Sequence, residues 1–121
     1  MQSNLLLIGK EDRKRENLMG MLESLDSVRS IRIADSCNQA LNLINKGTPV
    51  TVLVDYRDPE EEADHWISKL IMNQWVEHVV LLKSISSPDS HFTHYSTSEL
   101  MYDGLTSGVL CSLIRNIQKS T

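Results

Sequence analysis

The sequence is poor in the residues that mark secreted, fibrous and membrane proteins. Its two cysteines, Cys37 and Cys111, are too few for a disulfide framework, and as free thiols they suit a reducing cytoplasm. Five scattered glycines exclude a collagen-like chain. No apolar run approaches the roughly 18 residues that a membrane span needs. We expect no signal peptide, because the start of the chain lacks a basic charge and a long apolar stretch.

Positive charge is also scarce. The chain has 12 Lys and Arg residues against 16 Asp and Glu residues, a net charge of −4 that argues against a nucleic-acid-binding surface. The apolar share of 40% and the charged share of 23% are typical of soluble globular proteins. A chain of 121 residues is long enough for one hydrophobic core. We therefore expect a single domain, residues 1–121, in the cytoplasm and without a membrane partner.

Patterns typical of catalytic and metal sites are missing as well. The glycines form no phosphate loop, no dinucleotide motif and no nucleophile elbow. His91 and His94 are three residues apart near Asp89, but a zinc site needs a further ligand, and no cysteine pair is close. The sequence therefore predicts no metal site and no enzymatic activity.

Short apolar runs alternate with amphipathic stretches along the chain. Strands are predicted around residues 5–8, 29–35, 50–54, 79–82 and 100–102. The stretches between them predict helices, with Asp12 and Ser36 as N-caps of the first two. The third helix is predicted to open at Pro59, with the glutamates of residues 60–62 in its first turn. This alternation indicates an α/β, flavodoxin-like, doubly wound parallel sheet of five strands in the order 2-1-3-4-5.

The segment of residues 84–98 breaks this pattern. It is rich in serine and has no helical apolar stripe, so we expect an irregular, mobile segment in place of the fourth helix. The last helix, in contrast, carries a wide apolar face made of Leu105, Val109, Leu110, Leu113, Ile114 and Ile117. That face either packs entirely on the sheet or leaves a part that pairs with another chain.

Residues 52–55, Val-Leu-Val-Asp, resemble the third strand of the receiver domain of two-component response regulators. The layout of strands and helices resembles that family over nearly the whole chain. The terminal aspartate of that strand accepts a phosphoryl group in receivers, so the resemblance implies that Asp55 is the candidate phospho-acceptor. Ligands of such sheets sit beyond the carboxyl ends of the strands, which agrees with this position.

The residues after the first strand depart from the family pattern. A receiver has two acidic residues there, which bind a magnesium ion. Counted without gaps, these positions are Gly9 and Lys10 in this chain. Glu11 and Asp12 would serve only if the strand were about two residues longer. The resemblance is therefore to a degenerate receiver, or pseudo-receiver.

The ends of the fourth and fifth strands depart as well. A receiver has a threonine or serine at the end of the fourth strand, where this chain has Lys83, with Ser84 next. A receiver has a lysine at the end of the fifth strand, where this chain has Asp103, or Tyr102 one residue earlier. Of the usual reactive positions, Asp55 alone is clearly kept.

A narrower resemblance is to the N-terminal receivers of LuxR-type transcription regulators that control biofilm matrix and curli genes. Its basis is the Leu-Leu-Leu-Ile run of residues 5–8, Asp55, Trp66 and the Met-Tyr pair of residues 101–102. It implies a helix-turn-helix output domain beyond Thr121, so that DNA is reached only indirectly. The wider resemblance to receivers implies a homodimer through the last helix and the fifth strand. The cyclic di-GMP motif of some members is not present in the last residues, so no ligand is carried over.

Two functions are open. The first is a regulatory module of a transcription regulator that acts by dimerisation or docking and needs no phosphorylation and no cofactor. The second is a working receiver, phosphorylated on Asp55 by a histidine kinase with Mg²⁺ as cofactor. Gly9 and Lys10 favour the first, because a hard cation needs several oxygen ligands. We then predict that Lys10 or Lys83 takes the place of the metal beside Asp55.

Overall fold

A parallel sheet organises the chain in the computed structural model, which describes residues 2–57, 61–87 and 97–120. The strands of the described residues are β1 (Ser3–Ile8), β2 (Val28–Ala34), β3 (Val50–Asp55), β4 (Val76–Lys83) and β5 (Thr97–Met101). The helices are α1 (Arg13–Glu23), α2 (Cys37–Leu43), α3 (Ala63–Ile71) and α4 (Ser107–Ser120). All strand pairs are parallel, and the order is β2-β1-β3-β4-β5. The predicted flavodoxin-like topology is confirmed.

Apolar layers cover both faces of the sheet. Leu6 and Ile8 of β1 point to the face covered by α2 and α3, and Leu5 and Leu7 point to the face covered by α1 and α4. Burial on both faces explains why β1 is a continuous apolar run and not an alternating one. The two layers fix β1 and β3 in the centre, where their carboxyl ends form the floor of the site.

The first two helices begin where the sequence predicts. Asp12 caps α1, its Oδ1 accepting a hydrogen bond of 2.8 Å from the backbone N–H of Arg15. Ser36 caps α2 in the same way, its Oγ accepting a bond of 3.1 Å from the N–H of Gln39. Each cap satisfies a backbone donor that the helix itself leaves without a partner.

The third helix begins later than predicted. Pro59 and Glu60 lie outside the described residues, and α3 starts at Ala63. Glu61 and Glu62 therefore form a turn before the helix and not its first turn. Glu62 has a φ of 60°, in the left-handed region, and its side chain makes no cap bond. That local turn, which the glutamate pattern does not signal, sets the start of the helix.

The segment predicted to be irregular is described only at its two ends. Residues 84–87 form a turn closed by the Ser84 N–H, which donates to Ser87 Oγ at 2.8 Å. Residues 88–96, which include His91 and His94, lie outside the described residues. The fifth strand begins at Thr97, three residues earlier than predicted, because Thr97 already pairs with Val79 of β4.

Most of the apolar face of α4 packs on the sheet. Its buried members are Leu110, Ile114 and Ile117, and Leu105 and Leu113 are partly buried against the same layer. Val109 is 44% exposed and is the member of this face that the sheet leaves largely uncovered. Within the described part of the chain, no helix has the length and apolarity to cross a membrane.

Candidate functional site

Asp55 ends the central strand β3, as predicted, and its largely buried side chain lies at the carboxyl edge of the sheet. The neighbouring strand β1 ends at Ile8, so Gly9 and Lys10 are the first residues beyond it. The strand is not extended to bring Glu11 and Asp12 into these positions. The structure therefore supports the count that places Gly9 and Lys10 beside Asp55.

Gly9 allows β1 and β3 to approach closely at this edge. A Cβ atom added to Gly9 would lie 3.1 Å from Cβ of Asp55 and 3.5 Å from its Oδ2. A contact of 3.1 Å requires a shift of the neighbouring atoms, so a carboxylate side chain at this position would need the strand ends to move apart.

Arg57 holds both carboxylate oxygens of Asp55. Its Nε donates to Oδ1 at 2.9 Å and its Nη2 donates to Oδ2 at 2.7 Å, and its backbone N–H donates to Oδ1 at 3.1 Å. The side chains of Arg57 and Asp55 are only 13% and 20% exposed, respectively. The hydrogen bond to Asp55 raises the pKa of Arg57 above its usual range. A charge-assisted bidentate pair of this kind is among the stronger polar contacts in proteins.

The predicted lysine partner of Asp55 is thus replaced by an arginine. Lys83, one of the two lysines predicted for this role, donates instead to Glu99 Oε1 at 3.3 Å. Lys83 ends β4, and Glu99 lies on the adjacent strand β5, which gives the ammonium group a nearer carboxylate. Lys10, the other candidate, lines the cleft above Asp55.

Arg57 was not predicted from the sequence, because its position is not one of the usual reactive positions of receiver domains. The available signal was a cation two residues after the aspartate. At that spacing, the backbone N–H and the side chain of Arg57 reach the same carboxylate.

Tyr102 covers the outer side of this ion pair. Its ring centre is 4.3 Å from Cζ of Arg57, a cation–π stack. Its backbone N–H donates to the Lys83 carbonyl at 2.8 Å, and its hydroxyl donates to the Lys14 carbonyl at 3.2 Å. Tyr102, one of the two residues predicted to replace the receiver lysine, therefore joins the ends of β3, β4 and β5 to α1.

A solved structure shares this arrangement of strands and helices. It is described as "Crystal structure of response regulator receiver domain protein (CheY-like) from Methanospirillum hungatei JF-1". It matches with a TM-score of 0.68 and 19% sequence identity, over 96% of this chain and 99% of that chain. The chain has the fold of a receiver domain. No family model and no curated protein matches the sequence.

A cleft of about 520 Å³ opens above Asp55 at the carboxyl edge of the receiver fold. Five other predicted site residues line it: Gly9, Lys10, Asp12, Ser84 and Asp103. Glu11 and Lys83, also predicted, are not among its lining residues. The structure thus brings most of the predicted set around Asp55, with Tyr56 and Arg57 as lining residues that were not predicted.

The residues of the cleft do not fit the magnesium ion of a working receiver. Arg57 occupies both oxygens of Asp55, and Gly9 and Lys10 contribute no carboxylate. Asp12 has its Oδ1 bonded to the start of α1. Among the described residues, no group of three or more His, Cys, Asp and Glu side chains could hold a metal ion. A hard divalent cation would have to displace Arg57 to reach Asp55.

Three further polar contacts, made by Arg15 and Tyr56, lie at the walls of the cleft. Arg15, whose side chain is 14% exposed, donates from Nη1 to the Gly9 carbonyl at 3.0 Å and to Asp35 Oδ1 at 2.8 Å. The Tyr56 hydroxyl donates to Asp64 Oδ1 at 2.5 Å. Burial is the main cause that raises the pKa of Tyr56 to about 12, and the hydrogen bond to Asp64 contributes in the same direction. Tyr56 therefore stays protonated at neutral pH.

Proposed function

We propose that this chain is a regulatory receiver-like domain that works without phosphorylation and acts by dimerisation or docking. We propose that it has no enzymatic activity of its own. The receiver fold supports the regulatory role, since this fold is one on which signalling domains are built, and the paired state of Asp55 supports independence from phosphorylation. The fold alone does not determine function, so the site carries the proposal.

The observation that carries it is the bidentate pair of Arg57 and Asp55. Aspartyl phosphorylation needs a carboxylate oxygen free to attack phosphorus and a divalent cation to neutralise the phosphoryl oxygens. Arg57 donates to both oxygens, at 2.9 and 2.7 Å, so neither oxygen is free. Its guanidinium also supplies a fixed positive charge in place of the divalent cation. The pair therefore favours one conformation in the presence and in the absence of a phosphodonor.

We propose the LuxR-type context for this module, with a helix-turn-helix output domain, a cytoplasmic location and contact with DNA only through that domain. The dimer is proposed to form through α4 and β5. Val109 of α4 and Met101 of β5 support this surface, because they are apolar and 44% and 46% exposed. Sedimentation equilibrium tests it: Val109→Glu should weaken the dimer, and Met72→Glu, at an 82% exposed site in the turn after α3, should not.

A working phospho-acceptor domain is the second candidate. Asp55 at the carboxyl edge of the central strand and Ser84 beside it in the cleft favour this function. It would require a histidine kinase, Mg²⁺ and the movement of Arg57 away from the carboxylate.

Magnesium and beryllofluoride distinguish the two candidates. Backbone amide shifts near Asp55 are followed while Mg²⁺ and then beryllofluoride are added to the wild type and to Asp55→Asn. We expect the amide shifts to be small, to rise without saturating, and to be the same in the wild type and in Asp55→Asn. Saturable shifts at millimolar Mg²⁺ that disappear in Asp55→Asn would establish the phospho-acceptor function instead.

A further inference from the structure

A second cavity lies at the amino edge of the sheet, on the face covered by α2 and α3. It exists because α2 is short. The seven residues of this helix span about 10 Å, whereas the seven residues of the neighbouring strand β2 span about 23 Å. The helix therefore leaves the first half of β2 uncovered, and the connection from α2 to β3 crosses the gap. The cavity beneath that connection has a volume of about 150 Å³.

The lining of this cavity combines apolar side chains with polar ones that include a single cation. Leu6 and Val50 are buried, and Leu43 and Ile44 are partly buried beside them. The polar lining residues are Asn4, Ser30, Arg32, Asn45 and Thr48. The lining contains no carboxylate, so the formal charge of the cavity is that of Arg32.

The end of α2 orients the guanidinium of Arg32. Its Nη1 donates at 2.8 Å to the carbonyl of Leu43, one of the groups that a helix end leaves without an internal partner. Among the described residues, no carboxylate forms a salt bridge with Arg32. A guanidinium presents several N–H donors in a planar fork, so donors remain for a ligand.

We propose that this cavity binds a short-chain alkyl carboxylate, with the carboxylate on Arg32 and the alkyl chain against Leu6 and Ile44. The planar guanidinium matches a carboxylate, whereas a phosphate carries more charge than one cation balances. The volume of about 150 Å³ is roughly five times the share of one water molecule in the liquid, which suits a ligand of about six non-hydrogen atoms. The site shares no lining residue with the cleft above Asp55, and it does not depend on the proposed function.

Butyrate is the probe for this site, and butyramide is its neutral counterpart of nearly the same shape. Each is titrated into the ¹⁵N-labelled wild type at constant pH and ionic strength, and amide shifts are recorded. We expect butyrate to give saturable shifts at Ser30, Arg32 and Thr48, with half-saturation at about 1 mM. Butyramide should bind at least about tenfold more weakly, because it lacks the charge. No saturation by butyrate up to about 50 mM, or equal binding of butyramide, would overturn the proposal.

Acetate tests the apolar part of the cavity. Its chain is shorter than that of butyrate, so it buries less apolar surface and should bind about tenfold more weakly. Equal affinities of acetate and butyrate would mean that the carboxylate meets the arginine outside the cavity, and would overturn the proposal.

Arginine variants of β2 test the role of the cation. Arg32→Gln should weaken butyrate binding by about tenfold or more, and Arg32→Lys should lose less, since an ammonium keeps the charge without the planar fork. Arg29→Gln removes the same charge from an exposed position of the same strand, outside the cavity lining, and should leave the affinity unchanged. An equal loss in Arg32→Gln and Arg29→Gln, or no loss in Arg32→Gln, would overturn the site. The comparison of butyrate, butyramide and acetate uses the wild type alone, so it tests the proposal even if Arg32→Gln does not fold.

Discussion

The guanidinium of Arg57 lies 4.3 Å from the ring centre of Tyr102, so that the ring covers the arginine that holds Asp55. The Tyr102 hydroxyl in turn reaches the Lys14 carbonyl at 3.2 Å. One aromatic residue thus joins the end of β3 to β5 and to α1. Residues at the ends of β3 and β5 and at the start of α1 line the cleft, so Tyr102 links three parts of its surroundings.

Two substitutions of Tyr102 separate the stack from the hydroxyl bond. Tyr102→Phe keeps the ring and should lower the free energy of unfolding by about 0.5 to 1 kcal/mol, the net value of one hydrogen bond. Tyr102→Ala also removes the packing and the cation–π contact and should cost about 2 kcal/mol or more. Urea unfolding measures both. Equal losses in the two variants would show that the stack on Arg57 contributes nothing.

Arg57→Gln should destabilise the domain by about 2 kcal/mol, because a largely buried carboxylate loses its partner. Arg57→Lys should fall between this variant and the wild type, since an ammonium keeps the charge and loses the bidentate geometry. Arg29→Gln, at an exposed position of β2, is the control and should change stability by less than about 0.5 kcal/mol. Urea unfolding at neutral pH measures the free energy of unfolding of each variant. A loss in Arg57→Gln no greater than the loss in Arg29→Gln would contradict the structural role of the Arg57–Asp55 pair.

Gly9→Ala and Gly20→Ala are expected to act in opposite directions. At Gly9 the new methyl group would lie 3.1 Å from Cβ of Asp55, so this variant should lose about 1 kcal/mol. Gly20 is exposed within α1, and an added Cβ meets no atom within 4 Å, so Ala there should gain about 0.5 to 1 kcal/mol through helix propensity. Thermal or urea unfolding measures the pair. Stabilisation by both substitutions would refute the close approach of β1 and β3.

His78 should make stability depend on pH. Its Nε2 is 2.6 Å from Ser98 Oγ, and burial lowers its pKa below the ordinary 6.5. The unfolded chain then binds the proton more readily, so the full stability is present above about pH 6.5 and declines as the pH falls below that value. Unfolding of the wild type at several pH values from about 7.5 to 5 should show this decline. His78→Gln should reduce it, whereas His65→Gln, at an exposed position, should not.

The elements that position the site could be predicted from the sequence because their signals are local. Apolar runs define β1 and β3, and side-chain oxygens at Asp12 and Ser36 define the starts of two helices. The start of α3 could not be predicted, because it depends on the left-handed conformation of Glu62.

The contacts within the site could not be predicted from the sequence, because they depend on competition between side chains in three dimensions. A cation beside Asp55 was predicted, but Lys10, Lys83 and Arg57 all carry the same charge. Lys83 is drawn to Glu99 on the neighbouring strand, whereas Arg57 has both a favourable spacing and an aromatic ring to lie against. Strand pairing and ring placement, which a single sequence does not record, decide between them.

Incubation with acetyl phosphate and Mg²⁺, followed by intact-protein mass spectrometry, measures whether Asp55 accepts a phosphoryl group. Wild type and Asp55→Asn are treated side by side, and a working receiver domain serves as the positive control for the reagent. Because Arg57 occupies both carboxylate oxygens, we predict that the wild type gains no phosphoryl mass and matches Asp55→Asn at every time point. A phosphoryl adduct on the wild type that is absent from Asp55→Asn would contradict a phosphorylation-independent domain.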